Sequence, residues 1–255
     1  MNLKNKNLSI KLNYLPEVFL MGGLGNQLWI ISYAYQLTIN YEKVLINESW
    51  YKNYSIFFFS RKRVRRNGYC HIFKNLSQNL SFFNSPFSLL KYRFFKSFNS
   101  KSFKKKFDYF QDHKNISLDF KKKISKLLIS SLSEKQKNKI ILQFKSINKM
   151  KSIHFRIGDK GLPKESEIKY IKSLLKKINQ KDKFLLFSDS QKTAIDFLVR
   201  FINNQLIIID CEDEVYDLII LALCNECIIL RESTFSYWAR ILSNEIRKEI
   251  NFLSN

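Results

Sequence analysis

Residues 151–159 read KSIHFRIGD: a short apolar run that passes through a histidine and an arginine and ends in a glycine and an aspartate. The run has the composition of a buried strand, and its polar end is a turn. Toward the C-terminus the pattern repeats, with helical segments between the strands. PKESEIKYIKSLLKKI (163–178) opens with a proline, has its acids early and its lysines late, and so matches a helix dipole. KFLLFSDS (183–190) is a strand with a polar tip, QKTAIDFLVRFI (191–202) a helix and QLIIID (205–210) a strand. EVYDLIILALC (214–224) is helical, CIIL (227–230) is a strand, and TFSYWARILS (234–243) closes with a helix. Strands and helices that alternate in this way predict an α/β fold with a parallel sheet. Ligands of such sheets sit outside the carboxyl ends of the strands. The polar tips HFRIGD, FSDS and RESTF all fall at those ends, so a binding cleft is expected there.

Working back toward the N-terminus, SLDFKKKISKLLISSL (117–132) has helical spacing, although its Ser-x-x-Phe opening lacks the acid of a full capping box. Residues 51–106 are aromatic and basic without clean periodicity and are expected to form short helices and loops. KVLIN (43–47) is a strand. Before it, PEVFLM (16–21) is a short buried strand and NQLWIISYAYQLTINY (26–41) a helix packed on a sheet, with a glycine turn between them. The length of 255 residues allows one large domain or two. The clear alternation begins just before His154.

Charge narrows the partners. The chain carries 44 Lys and Arg against 22 Asp and Glu, a formal net charge of +22, which favours a polyanion: nucleic acid, an anionic membrane face or a diphosphate-bearing substrate. The charge is concentrated at Arg61–Arg66, Lys101–Lys106 and Lys121–Lys123, and a solvated basic face is the plainer account of any single run. The longest apolar stretch, LIILALCNECIIL, is interrupted by Asn225 and Glu226 and reads as a buried core element, not a membrane span. The N-terminal residues have a broken apolar stretch that does not fit a secretory signal, so a cytoplasmic location is expected. Four cysteines (Cys70, Cys211, Cys224, Cys227) make no disulfide framework in a chain of this length. The Cys224-x-x-Cys227 pair lies inside an apolar run, which favours structural burial over zinc or redox chemistry.

The N-terminal loop GGLGNQ (22–27) matches neither of two phosphate-binding fingerprints in full. Gly23-x-Gly25 fits the first two glycines of a dinucleotide turn, but Leu28 stands where the third would be, and the lysine of a Walker loop is absent. What remains is a backbone turn at a helix start, with the side-chain amides of Asn26 and Gln27 beside it. A tight turn without a ligand is the rival reading.

The ordered segments GGLGNQ, YFQDHK, HFRIGD, FSDS, DLIILALC and ESTFSYWA resemble the α-1,2-fucosyltransferases of glycosyltransferase family 11, from Gly22 to about Leu242. The resemblance implies two facing Rossmann-like domains of the GT-B type, 1–145 on the acceptor side and 146–255 holding the nucleotide, the second matching the stretch where strands and helices alternate. It also implies inverting transfer of L-fucose from GDP-fucose to a sugar hydroxyl, typically the 2-OH of galactose in a surface polysaccharide or O-antigen repeat, with no metal and no cofactor beyond the donor. No Asp-x-Asp stands at a strand end, which agrees with metal independence.

That chemistry needs fixed cations or N–H donors to neutralise a departing diphosphate. Arg156 is the first candidate, since guanidinium offers a fork of donors at any working pH; an ion pair with Asp159 is its rival. His154 can bond a phosphate or nucleotide group, against a satisfied core histidine. Asp159 orients Arg156 or acts as a base, and Gly158 permits the turn. Ser188 and Asp189 end a strand and reach the nucleotide, or else cap a helix. Ser233, Thr234 and Phe235 begin the last helix, where hydroxyls and N–H groups suit a diphosphate or serve as a plain cap. With Gly23, Gly25, Asn26 and Gln27, these make up the expected donor site. The chain departs from the family pattern at Ile157, which replaces a second arginine, at Lys160, Ser190 and Glu232, and at Tyr237, which replaces a tryptophan. Two other function classes stay open: a basic nucleic-acid-binding protein, since the basic runs are interleaved with Phe and Tyr, and a nucleotide-sugar-binding homologue without turnover. For the enzyme, the basic runs would provide peripheral contact with an anionic membrane that presents a lipid-linked acceptor.

Overall fold

The computed structural model describes residues 15–51, 68–85, 110–111, 116–179, 181–208 and 213–254. The basic runs at 61–66 and 101–106, the N-terminal residues 1–14, Cys211 and all of YFQDHK except Phe110 and Gln111 lie outside the described residues. The chain divides into two compact units, Met1–Ile116 and Ser117–Asn255.

The first unit contains β1 (Glu17–Phe19), α1 (Leu24–Leu37), β2 (Val44–Asn47), α2 (Cys70–Phe73) and β3 (Leu80–Phe83). The three strands form a sheet in the order β1-β2-β3 with both pairings parallel. Val18, Phe19, Val44 and Ile46 are buried, and α1 packs Leu24, Leu28, Ile30, Ile31 and Ala34 out of solvent. A helix this apolar around its circumference needs cover on several sides. Strand β3 corrects the expectation of short helices and loops across 51–106. Its sequence, LSFF, is too short for period-two alternation to stand out from its aromatic surroundings, and pairing with β2 is what makes it a strand.

The second unit runs α3 (Leu118–Ser131), α4 (Glu134–Ile147), β4 (Lys151–His154), a 3-10 turn (Gly158–Lys160), α5 (Glu165–Leu175), β5 (Lys183–Phe187), α6 (Gln191–Leu198), β6 (Gln205–Ile208), α7 (Glu214–Leu223), β7 (Glu226–Ile229) and α8 (Thr234–Ser254). Every element expected from residue 151 onward is present, and the fold is α/β with parallel sheets. The four strands lie in the order β6-β5-β4-β7, all parallel. Ile153, Phe155, Phe184 and Leu186 form the centre of this unit's core with Ile171 and Leu175 of α5 and Leu198 of α6.

Helices α3 and α4 belong to this second unit, so the unit boundary precedes them, whereas the division expected near residue 145 falls inside α4. The reason is packing. Helix α8 extends past the expected end at residue 243 and buries Trp238, Leu242, Ile246 and Ile250, four residues apart, as one stripe. That stripe packs with α7 and α3, and the rings of Phe120 and Trp238 lie 6.0 Å apart. Ser117 caps α3 by accepting from the amide of Phe120, and Ser133 with Gln136 forms a capping box at α4. The Gln136 amide then donates to Asp213 at the start of α7, at 3.3 Å.

Of the Cys224–Cys227 pair expected to be buried, Cys224 is buried and Cys227 half-buried. Cys224 is buried at the end of α7, its thiol 3.3 Å from the carbonyl of Ile220, and burial pushes that thiol up to about 12. Burial also raises Cys227. Both are neutral thiols at physiological pH and poor nucleophiles. Among the described residues no group of three or more His, Cys, Asp or Glu side chains could hold a metal ion. No described helix is long and apolar enough to cross a membrane.

Candidate functional site

The order of strands in the second unit selects a place for a ligand. From β4 the chain winds outward through β5 to β6, then crosses to the opposite flank of β4 and adds β7 there. The winding reverses between β4 and β7, and the crevice at the carboxyl ends of two such strands is the usual binding position in open α/β sheets. Backbone pairing continues one residue past both strands: the amide of Phe155 donates to Phe187 at 2.9 Å, and that of Leu230 to His154 at 3.1 Å. The free tips therefore begin at Arg156, Ser188 and Arg231.

After β4 the Arg156 guanidinium meets Asp159 through two bonds, Nε to Oδ1 at 3.0 Å and Nη2 to Oδ2 at 2.9 Å. The expected rival for Arg156, an ion pair with Asp159, is thus present. Three donor hydrogens of the guanidinium lie outside these two bonds. Asp189, on the tip of β5, accepts at Oδ1 from the amides of Ile157 (2.8 Å) and Gly158 (2.9 Å). It neither caps α6 nor stands clear of the chain; it pins the neighbouring turn. Gly158 is required by this close approach, because a Cβ there would lie 2.5 Å from Asp189 Oδ2. Ser188 accepts from the amide of Ser190 at 3.1 Å and so shapes its own turn.

His154 is 6% exposed and its Nδ1 has no hydrogen-bond partner. Its ring lies 5.8 Å from that of Phe235 at an interplanar angle of 22°. Burial drives its pKa down to about 4; the carboxylate of Asp189 opposes the shift, and the cation of Arg156 adds to it. The imidazole is neutral at pH 7. A satisfied core histidine is therefore not what is found: the ring is buried, but one nitrogen is unspent, which normally carries a cost. At α8, Ser233 Oγ accepts from the amide of Phe235 at 3.1 Å, so Ser233 acts as a cap. Thr234 is the first helical residue.

Two residues at this edge escaped the reading of the sequence. Arg231, its side chain 8% exposed, donates Nε and Nη2 to the two carboxylate oxygens of Glu167 at 3.0 and 3.2 Å. Its Nη1 reaches the carbonyls of Arg156 (3.2 Å) and Gly161 (2.8 Å). One guanidinium thus ties the tip of β7 to the turn after β4 and to the start of α5. Glu167 also accepts from the Lys164 amide at 2.9 Å. That amide first, and Arg231 with it, hold the carboxyl below its ordinary value. The signal for Glu167 was its place three residues after Lys164, the acid position of a capping box. Arg231 had only its place in RESTF.

The glycine loop lies in the first unit. Gly22 has φ +81°, and Gly23 is the N-cap of α1. Gln27 is fully buried; its amide nitrogen donates to the Gly22 carbonyl at 3.0 Å and its oxygen accepts from the amide of Tyr69 at 2.9 Å. The Tyr51 hydroxyl donates to the same Gly22 carbonyl at 2.7 Å. Gln27 therefore braces the loop, in place of the ligand contact expected for it. Gly25 is buried in the first turn of α1. Asn26 accepts from the Gln111 amide at 3.2 Å, and beside it Phe110 stacks on Tyr33 at 3.9 Å, so the described part of YFQDHK lies against this helix. His154, Arg156, Asp159, Ser188, Asp189, Ser233, Thr234 and Phe235 share one edge of the second unit, whereas Gly23, Gly25, Asn26 and Gln27 belong to the first.

No family model matches the chain, and no curated protein does. Among solved structures the chain is similar to one described as the crystal structure of NodZ alpha-1,6-fucosyltransferase soaked with GDP-fucose. The two share 13% identity at a TM-score of 0.46, over 90% of this chain and 93% of that one, a likeness too distant to assign a reaction.

Proposed function

We propose that the protein is an inverting, metal-independent glycosyltransferase that holds a nucleoside diphosphate sugar at the carboxyl edge of its second sheet. The observation that carries this reading is the convergence, at the reversal between β4 and β7, of the Arg156 fork, the unpartnered Nδ1 of buried His154 and the first turn of α8. An oriented guanidinium, a neutral ring nitrogen and backbone amides are the groups a diphosphate requires where no metal serves. In the reaction the acceptor oxygen attacks the anomeric carbon from the face opposite the phosphate. The bond from that carbon to the β-phosphate oxygen breaks, its electron pair leaves with the diphosphate, and the acceptor hydroxyl gives up its proton to the departing diphosphate or to solvent water. Arg156 meets the charge that grows on the leaving group. Asp159, with both oxygens engaged by Arg156, positions that fork and is not the proton acceptor.

The finer reading rests on the resemblance of the six ordered segments. It makes the donor GDP-fucose and the acceptor a hydroxyl of a polysaccharide repeat, such as the 2-OH of galactose, presented at the inner membrane face. Calorimetric titration with GDP, GDP-fucose, GDP-mannose and UDP-galactose in excess chelator tests the donor class. Binding confined to the guanine nucleotides, and weakened about tenfold or more by Arg156→Ala, is the result expected. Absence of binding by all four, or an Arg156→Ala variant with unchanged affinity, would overturn the assignment.

A further inference from the structure

Ion pairing at the edge leaves Lys160 without a carboxylate contact among the described residues. Arg156 is neutralised by Asp159 and Arg231 by Glu167, each through a two-bond ion pair. Asp189, with both amides of the β4 turn on one oxygen, adds a negative group to the same surface. A diphosphate arriving there would meet guanidinium groups already compensated and a carboxylate that repels it. Ile157, next to Arg156, offers no help, because its side chain is 4% exposed and packed in the core with Ile153 and Phe155. Lys160 is different. It is exposed, it forms no ion pair among the described residues, and its ammonium donates to the backbone carbonyl of Glu232 at 3.0 Å. Glu232 thus meets Lys160 through its carbonyl and not its carboxylate.

From this geometry we infer that Lys160 is the second phosphate-contacting cation of the nucleotide site, a role that rests on the reading of this edge as a diphosphate site. The carbonyl that holds it lies two residues before Thr234, where α8 begins, so the ammonium is stationed beside the first turn of a 21-residue helix. First-turn amides have no acceptor within their own helix, and Ser233 Oγ takes that of Phe235. His154, buried with Nδ1 unpartnered and its ring against Phe235, is the independent sign that a polar ligand belongs at this helix start. An ammonium has three donor hydrogens. With one on the Glu232 carbonyl, two remain for a ligand. Lys160 acts as a compact charge that offsets the acidic groups, while Arg156 supplies the directed fork. The anchor also links the turn after β4 to the loop before α8, so the cation is placed by both tips that flank the crevice.

The test is calorimetric titration of the full chain with GDP and with guanosine, at low ionic strength and without metal, for the native protein, Lys160→Met and Lys160→Arg. The expected result is a loss of about tenfold in GDP affinity for Lys160→Met, unchanged guanosine affinity, and recovery to within about threefold by Lys160→Arg. Native protein that binds GDP beside a Lys160→Met variant of equal affinity removes the role of Lys160 and leaves the site standing. Equal losses toward GDP and guanosine would mean that the substitution damages the edge instead of removing a charge, and would also overturn the inference. Native protein that binds no GDP would overturn the site reading and this inference with it.

Discussion

At the scale of single residues, the titration of His154 is set by its surroundings. Its folded pKa of about 4 lies below the ordinary value because burial disfavours the imidazolium. Between that value and the ordinary value of about 6.5, the unfolded chain binds more protons than the folded one, so folding loses stability as pH falls through this window. The full effect is on the order of 3 kcal/mol. Denaturant unfolding of native protein and of His154→Gln at pH 7 and at pH 4.5 isolates it, since the variant cannot titrate there. The native protein should lose more stability than the variant over this range; equal losses would mean that the imidazole is not buried as described. Asp159 and Asp189 illustrate the same dependence on context: both are acids at strand tips, yet one orients a guanidinium and the other pins two amides.

At the scale of elements, the edge is held by long-range clamps more than by its loops. Arg231 on the tip of β7 reaches α5 through Glu167 and the β4 turn through two carbonyls. Replacing it with methionine would take that donor from both carbonyls and leave the Glu167 carboxylate on the Lys164 amide without its guanidinium. The expected cost is about 2 to 3 kcal/mol in unfolding free energy, and weaker GDP binding should accompany it. Arg231→Lys keeps the charge but not the fork, and should recover part of the stability and little of the binding. Stability and affinity that both match the native protein in Arg231→Met would show that the clamp contributes nothing. Each element around the clamp forms for local reasons: Glu167 satisfies the Lys164 amide at the start of α5, and Ser233 caps α8.

For the whole molecule, the net charge of +22 is the property with the longest reach. On helix α3, Lys123 pairs with Asp119, an exposed ion pair of little consequence for stability. We expect the chain to sediment with vesicles that contain anionic lipid, with each engaged cation adding about 1 kcal/mol near the surface, and to be released as salt rises. Equal sedimentation with neutral and anionic vesicles would exclude the membrane contact. Tight binding to nucleic acid at physiological salt would instead favour the nucleic-acid reading, which accounts for the charge but not for the edge between β4 and β7.

The sequence by itself determined the elements of the second sheet and the side chains at their tips, because apolar runs, helical spacing and turn residues are local signals. His154, Arg156, Ser188, Asp189 and Ser233 could each be placed at a strand end in this way. It did not determine β3, whose four residues become a strand through pairing with β2, nor the membership of α3 and α4, which the apolar stripe of α8 draws into the second unit. Above all, it could not order the strands. That β7 lies on the far flank of β4 is decided by tertiary packing, and this order brings Arg231 to Glu167 and Lys160 to Glu232 across 64 and 72 residues of chain. Contacts of that separation leave no periodic trace, because they depend on which faces the buried sheet brings together and not on what stands next to them in the chain.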